Sequence, residues 1–136
     1  MTGPSEDRDG ERCPCRSRRS FAVCCAPYLA GEATPSTAEA LMRSRFAAYA
    51  RRDVAHLTRT WHPSTRPAEL DLDDDVAWVG LQVVDTAGGG PDDVTGTVHF
   101  RASWRGRAER GVLEEVSTFV RPGGTWLYVD GDVRRR

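Results

Sequence analysis

The amino-acid sequence predicts an α+β fold in which two helices come first and an antiparallel sheet follows. Apolar residues recur every three or four positions over residues 37–52, which is the spacing of an amphipathic helix. After residue 76 the spacing changes to alternation, and turns rich in Gly and Pro separate about four such segments. Consecutive strands joined by short turns form an antiparallel meander, so we expect both helices to lie on one concave face of a curved sheet.

The chain of 136 residues is long enough for one domain with an ordinary core and a small appendage. Two prolines and a glycine mark a linker after the last cysteine. We therefore divide the chain into a flexible tail over residues 1–12, a cysteine-rich knuckle and its linker over residues 13–35, the α+β domain over residues 36–131, and a short tail over residues 132–136.

Start and stop signals define the two helices. Ser36 is a candidate N-cap, and Glu39 three residues later completes a capping box. Asp53 is the candidate N-cap of a second, shorter helix, in which His56 is expected to be half-exposed. Pro63 ends this helix, because proline restricts the residue before it to extended geometry.

The strands are predicted from alternating side chains and from the turns between them. In the second strand Val98 and Phe100 share one face, whereas Thr97, His99 and Arg101 share the other. One face of this strand is therefore apolar and the other polar. The four predicted strands cover residues 78–85, 95–104, 107–120 and 126–130.

All four cysteines of the chain lie within residues 13–25, as Cys13, Cys15, Cys24 and Cys25. The first twelve residues contain no apolar segment of a secretory signal, so we expect a cytoplasmic protein whose thiols stay reduced. In that compartment four clustered thiolates favour a metal site and predict one structural Zn²⁺ ion per chain. A redox pair, free thiols and an iron–sulfur site remain the alternatives.

The charge is unevenly distributed although the net charge is only −1. A net charge near zero provides no general attraction to nucleic acid or to acidic membranes. The longest nearly apolar run, residues 76–81, is too short to cross a bilayer, so no membrane association is predicted. Eight acids and no base lie between residues 69 and 93, whereas the knuckle region carries Arg12, Arg16, Arg18 and Arg19 with no acid between them.

The knuckle resembles the SEC-C motif, a zinc knuckle also found at the carboxyl terminus of the bacterial preprotein translocase ATPase; here it reads CPCRSRRSFAVCCAPYLAG. Four later segments make the chain similar to the YchJ-like family of SEC-C proteins: TAEALMRSRFAAYARRD, TWHPSTRP, LDLDDDVAWVGLQVVDT and FVRPGGTWLYVDG. The resemblance extends over residues 13–131. It implies a zinc role for the four cysteines and a nuclear-transport-factor-like (NTF2-like) fold, in which a cone of helices covers a curved sheet.

The chain departs from the family pattern at two places. The family usually has Gly where this chain has Arg16 and Arg18, and Arg costs on the order of 1 kcal/mol at each position if the backbone needs a positive φ. The family also tends to carry His followed by Glu where this chain has Glu114 and Glu115, which weakens any chemistry centred on a histidine there. No catalytic residue is assigned, because the family has no established reaction.

Cone-shaped folds of this kind often enclose a pocket. Because neighbouring residues of a strand point to opposite faces, one of Glu114 and Glu115 is predicted to point towards the core. A buried carboxylate is costly unless it is paired, and Arg45 of the first helix is the predicted partner. The candidate pocket residues are therefore Glu114, Glu115, Arg45, His62 and Trp61.

Two classes of function follow from these residues. The first is a non-enzymatic binding or adaptor protein that uses its arginine-rich knuckle to contact an acidic partner protein or the ribosome. The alternative is a small-molecule-binding protein or an enzyme, similar to isomerases and dehydratases, that uses the cone pocket. A third possibility is a purely structural role, in which the zinc ion only attaches the amino terminus to the domain. A homodimer formed through the exposed face of the sheet is also expected.

Overall fold

The computed structural model describes residues 11–134 as three helices and a four-stranded sheet. The predicted tail over residues 1–12 therefore lies outside the described residues except for its last two positions. After a 3₁₀ turn at Phe21–Val23, the helices are α1 (Ala26–Leu29), α2 (Ala38–Arg51) and α3 (Val54–Arg59). The strands are β1 (Ala77–Gly88), β2 (Thr95–Arg105), β3 (Arg110–Val120) and β4 (Leu127–Arg134).

The caps of the two main helices follow local chemistry, with one correction. Thr37, not Ser36, is the N-cap of α2, because Thr37 has the extended backbone and its hydroxyl accepts from the Ala40 amide at 3.0 Å. Glu39 pairs with Arg43 at 3.0 Å, one helical turn further on. The predicted cap of α3 is confirmed, since the carboxylate of Asp53 accepts from the His56 amide.

The sheet is an antiparallel meander with the strand order β1-β2-β3-β4. The two edge strands, β1 and β4, extend beyond their predicted limits. In β4, residues 132–134 pair with Glu114, Glu115 and Val116 of β3. The prediction that this segment is a tail is therefore wrong, because β3 offers a complete row of partners for it. Residues 135 and 136 lie outside the described residues.

The two faces of the sheet have the predicted character. In β2 the side chains of Val98, Phe100 and Ala102 are buried, whereas those of His99 and Arg101 lie on the opposite face. Helix α2 packs against β1, β2 and β4, and it covers the apolar face. We call this the inner face of the sheet and the other the outer face.

The knuckle is packed into the same core as the domain. Cys13, Cys15 and Cys25 belong to one continuous buried cluster with apolar residues of α2 and the sheet, among them Leu41 and Phe119. The segment predicted as a linker begins with α1. The knuckle is therefore a part of the domain's core and not a separate appendage.

Arginine side chains join the knuckle to the rest of the domain through backbone carbonyl groups. Arg43 of α2 donates to the Cys15 carbonyl at 2.7 Å, and Arg59 of α3 donates to the Leu29 carbonyl at 2.8 Å. In the opposite direction, Arg16 of the knuckle donates to the Val79 carbonyl of β1 at 3.0 Å. Within residues 11–134 no helix is both long and apolar enough to cross a membrane.

Candidate metal centre

The backbone of the knuckle brings two pairs of cysteines together. A bridge between Arg12 and Ser20 closes a loop, inside which the Cys13 amide donates to the Arg19 carbonyl at 2.9 Å. The Ser20 hydroxyl caps the 3₁₀ turn that follows, and Cys25 then begins α1. The first pair of cysteines therefore comes from the loop and the second from the turn.

The four sulfur atoms of Cys13, Cys15, Cys24 and Cys25 all lie within 4.8 Å of one another. The Sγ atoms of Cys15 and Cys24 are 3.6 Å apart, and those of Cys24 and Cys25 are 3.9 Å apart. Four thiolates placed tetrahedrally at about 2.3 Å from a zinc ion are about 3.8 Å apart. The donor set and its spacing therefore fit one tetrahedral metal ion.

The protons of the cluster are shared unequally. Hydrogen bonds from Cys13 and Cys25 lower the pKa of Cys15, so this thiol ionises first. The same contact with Cys15 raises the pKa of Cys13 to about 12, and contacts with Cys13 and Cys15 raise the pKa of Cys25. The cluster thus stabilises the Cys15 thiolate, and a bound cation would favour the loss of the Cys13 and Cys25 protons by taking up the charge.

The cluster has no disulfide, since all four cysteines are free. Three of them are buried and Cys24 is half-buried, with its sulfur 3.1 Å from the Ser17 hydroxyl. This shielding from water is typical of a closed structural site. A reactive redox pair is instead partly exposed to solvent. The four cysteines can therefore hold a metal ion.

The arginines of the knuckle differ in where they lie. The guanidinium of Arg16 reaches β1, whereas Arg12 donates to the Arg18 carbonyl. The guanidinium of Arg19 donates to the Val23 carbonyl at 2.8 Å, within the knuckle itself. Arg16 and Arg18 have φ values of 67° and 75°, so both positions do require the left-handed backbone that glycine adopts most easily.

The inner face of the sheet and α2 enclose a cavity of about 180 Å³. Two of the predicted pocket residues, Arg45 and Glu115, line it together with Tyr49, Tyr128 and apolar side chains. Arg45 and Glu115 do not form the predicted ion pair. The Arg45 guanidinium instead donates to the Leu57 carbonyl at 2.9 Å and to the Thr60 hydroxyl at 2.7 Å.

Burial and aromatic contacts define the state of the polar residues around the cavity. Burial lowers the pKa of Arg45, whose guanidinium lies 4.5 Å from the ring centre of Tyr128 and 4.9 Å from that of Trp61. The carboxylate of Glu115 accepts from the Ser117 hydroxyl at 2.7 Å. Burial also raises the pKa of Tyr128, which stays a neutral phenol.

The other three predicted pocket residues lie outside the cavity. Glu114 is on the outer face, where it contacts His99 at 2.6 Å and Arg101 at 3.3 Å. The His62 ring accepts from the Ser64 amide and so stabilises its own loop. Trp61 packs behind Arg45, and its indole nitrogen is buried without a hydrogen-bond partner among the residues that the structure describes.

His56 is buried, which corrects the expectation that it is half-exposed. Its Nε2 atom is 2.9 Å from the Ser44 hydroxyl, and only 2% of the residue is exposed. Burial and the charges of Arg59 and Arg45 lower the pKa of His56 to about 4. The sequence offered a weak signal for this burial, since His56 precedes the apolar Leu57 of the same helix.

Comparisons with known proteins place the chain in a family. The model of the YchJ middle NTF2-like domain matches residues 37–131. A UPF0225 protein of Streptomyces coelicolor is 51% identical over 120 residues, which cover 88% of this chain and 94% of that protein.

Two solved structures share the fold. A SEC-C motif containing protein from Rhodopseudomonas palustris has a TM-score of 0.80 and 30% identity over 91% of this chain and 99% of its own. A second one, from Psychrobacter arcticus, has a TM-score of 0.76 over 95% of this chain and 86% of its own; at 23% identity it bears on the fold alone. These matches confirm the resemblance and the NTF2-like fold. The chain therefore belongs to the UPF0225 family of YchJ-like SEC-C proteins.

Proposed function

We propose that this protein is a non-enzymatic binding or adaptor protein of the cytoplasm, whose zinc-loaded knuckle presents arginines to an acidic partner. One observation supports this proposal above the others. Four sulfur atoms cluster within 4.8 Å inside the core, while Arg12, Arg16 and Arg18 beside them are exposed. The metal keeps the shape of the knuckle, and the arginines contact an acidic surface of a partner protein or of the ribosome.

A zinc ion with four thiolate ligands has a structural role, because it has no open position for water or substrate. Bound to the four cysteines, the ion would neutralise the thiolates and cross-link the two cysteine pairs. Residues 13–25 need such a cross-link, since Phe21 and Val23 are their only sizeable apolar side chains outside the cysteines and Val23 is 60% exposed. Metal binding then fixes the backbone that carries the arginines.

The metal is tested by native mass spectrometry of the full chain purified without added metal. We expect one zinc ion per chain in the wild type and none in the double variant Cys24→Ser, Cys25→Ser. Circular dichroism of the variant controls for loss of the whole fold. A metal-free wild type whose mass lacks two hydrogens would show a disulfide instead, and it would contradict the zinc site.

The adaptor role is tested by a pull-down with zinc-loaded and chelator-treated protein. Zinc-loaded protein is expected to capture a partner at low salt and to release it as salt rises, because exposed charges are screened beyond about 8 Å at physiological ionic strength. Chelator-treated protein is expected to capture less. If the zinc-loaded chain recovers nothing at low salt, the adaptor role is wrong.

The expected homodimer is a separate proposal. Val112 of β3 is 61% exposed on the outer face of the sheet, where a second copy would find apolar surface. Sedimentation at micromolar concentration is expected to give twice the mass of one chain, and a species of 15.0 kDa would show a monomer.

A second candidate function is supported by the cavity on the inner face. Its volume of about 180 Å³ suits a single small ring, since a cavity of roughly 150 Å³ binds benzene. The Glu115 carboxylate at its wall offers one acceptor for a ligand hydroxyl or amide group, and Arg45 offers a donor. This arrangement favours a small neutral molecule with one polar group.

An NMR titration with phenol tests the cavity directly. Phenol is expected to shift the methyl signal of Met42, which lines the cavity, and Glu115→Gln is expected to weaken its binding. The exposed Glu109→Gln variant is the matched control. If phenol leaves the Met42 signal unchanged, the cavity does not take up ligands of this size and polarity.

A further inference from the structure

The knuckle and the outer face of the sheet enclose a groove of about 760 Å³. The knuckle contributes one wall, with Arg12, Arg16 and Arg18. The sheet contributes the floor, where Gln82 of β1 lies opposite Arg101 of β2. The groove therefore exists only when the knuckle is folded against the sheet.

The groove is cationic. Four of its lining residues are arginines, and none of the residues that line it is acidic. Arg101 contacts Glu114 through its Nε atom at 3.3 Å, so this carboxylate, on the same outer face, offsets one of the four charges. Three guanidinium groups from the knuckle remain on the opposite wall. An anionic ligand is the chemical complement of this surface.

The backbone of the knuckle also points to a ligand. Arg16 and Arg18 both have the positive φ that disfavours residues with a Cβ atom. Arg16 has a structural reason to be there, because its guanidinium holds the Val79 carbonyl at 3.0 Å. The Arg18 side chain is exposed at the groove and makes no hydrogen bond or ion pair with any residue between 11 and 134. The Arg18 guanidinium is therefore available to a ligand, and backbone strain at such a position is typical of binding sites.

The apolar part of the lining distinguishes between anionic partners. Val112 is 61% exposed at the groove, and Pro14 lies on the knuckle side. The lining contains no aromatic ring on which a nucleic-acid base would stack. Eight acids between residues 69 and 93 also disfavour a long polyanion on this chain. Both features favour a short peptide over RNA.

We infer that this groove binds an acidic peptide segment of a partner protein, in which carboxylate side chains are mixed with small apolar ones. The inference rests on the proposed function and specifies the partner's chemistry. Guanidinium groups of Arg18 and Arg101 bind carboxylates through paired hydrogen bonds from opposite sides. Small apolar side chains of the peptide cover Val112 and Pro14.

Fluorescence anisotropy with the zinc-loaded full chain tests this inference. The probe is a short labelled peptide with Glu and Val in equal number, compared with the same peptide in which Ser replaces Val. We expect the Glu–Val peptide to bind more tightly, by about threefold, because Val buries apolar surface that Ser lacks. We also expect its affinity to fall as salt rises.

Three variants locate the binding site. Arg18→Gly relieves the backbone strain and removes one guanidinium, so it is expected to weaken peptide binding about two- to fivefold while the protein becomes no less stable. Gln82→Glu places an acid at an exposed position of the floor and is expected to weaken binding by a similar factor. Arg107→Gln is the matched control, because it removes the same charge from an exposed side chain outside the knuckle and the groove.

The outcomes separate the inference from the proposed function. Weaker binding in Arg18→Gly and Gln82→Glu, with unchanged binding in Arg107→Gln, supports the groove. If all three variants bind the peptide as tightly as the wild type does, the groove inference is overturned. The adaptor role then survives through another surface. If labelled oligouridylate binds more tightly than the Glu–Val peptide, an acidic peptide is not the preferred ligand of the groove. The protein would then be an adaptor that binds another kind of anion. A zinc-loaded chain that binds neither probe and captures no partner overturns both proposals.

Discussion

The knuckle and the sheet of this protein are stabilised by different interactions. Between residues 13 and 25 the buried side chains are mainly cysteines, and arginine-to-carbonyl hydrogen bonds attach the segment to α2 and β1. The sheet instead buries Val98, Phe100 and Phe119 beneath α2, so apolar packing holds it. The difference shows that a segment with almost no apolar side chains can still enter a core when cysteine side chains take their place.

The two regions are also coupled. Three cysteines share one buried cluster with residues of α2 and of the sheet, so we expect the loss of a metal ion bound by them to affect residues beyond the knuckle. The predictions below separate the two contributions by disturbing one region at a time.

Removal of the metal is expected to have the largest effect. Chelation of zinc at neutral pH should lower the free energy of unfolding by more than about 4 kcal/mol, because the free energy of metal binding and the cross-link between the cysteine pairs are both lost. Hydrogen exchange should show lost protection over residues 13–25 first and over β2 later. The Cys15→Ser variant should behave like chelated wild type, and an unchanged melting temperature after verified zinc loss would contradict the coupling.

A large-to-small change on the sheet side is expected to be second. Trp126 is fully buried and its indole donates to the Ser36 carbonyl at 3.2 Å, so Trp126→Ala should lower the free energy of unfolding by about 3–5 kcal/mol. Zinc should remain at one ion per folded chain. The exposed neighbour Thr125→Ala serves as control, with a change within about 0.5 kcal/mol. Loss of zinc from folded Trp126→Ala would mean that packing, and not the cysteines, holds the knuckle.

Acid should weaken the α2–α3 contact through His56. Its pKa is about 4 in the folded protein and about 6.5 in the unfolded chain, so only the unfolded chain binds a proton between these values. Stability from the neutral ring is complete above pH 6.5 and is lost as pH falls towards 4, by at most about 1.4 kcal/mol per pH unit.

Urea unfolding at pH 7 and pH 5 measures this dependence, with zinc content followed in parallel because acid also protonates the thiols. The His56→Gln variant, although less stable overall, should show a shallower dependence on pH. Equal slopes in the two proteins would assign the acid sensitivity to the knuckle.

The smallest effect is expected from the strained backbone of the knuckle. Arg18→Gly should raise the free energy of unfolding by up to about 1 kcal/mol, because glycine adopts φ 75° without a Cβ clash. Arg16→Gly should gain less, since it also loses the hydrogen bond to the Val79 carbonyl. Thermal melting of both zinc-loaded variants checks this order, and a destabilised Arg18→Gly would show that its side chain has a structural contact.

The sequence by itself determined the features that depend on neighbours along the chain. The alternation around Val98 and Phe100 identified the inner face, and Asp53 identified the start of α3, because faces and caps involve residues only a few positions apart. The four cysteines identified in the same way a cluster that can hold a metal ion, because they lie in one short segment.

Only the tertiary structure decided the features that depend on residues far apart in the chain. The burial of His56 requires Ser44 of α2, the hydrogen bonds of Arg45 replace its expected pair with Glu115, and the groove combines knuckle arginines with Arg101. Which distant side chains meet is fixed by the packing of whole elements on one another. No local pattern records the free energy of those contacts, and for this reason these features could not be predicted.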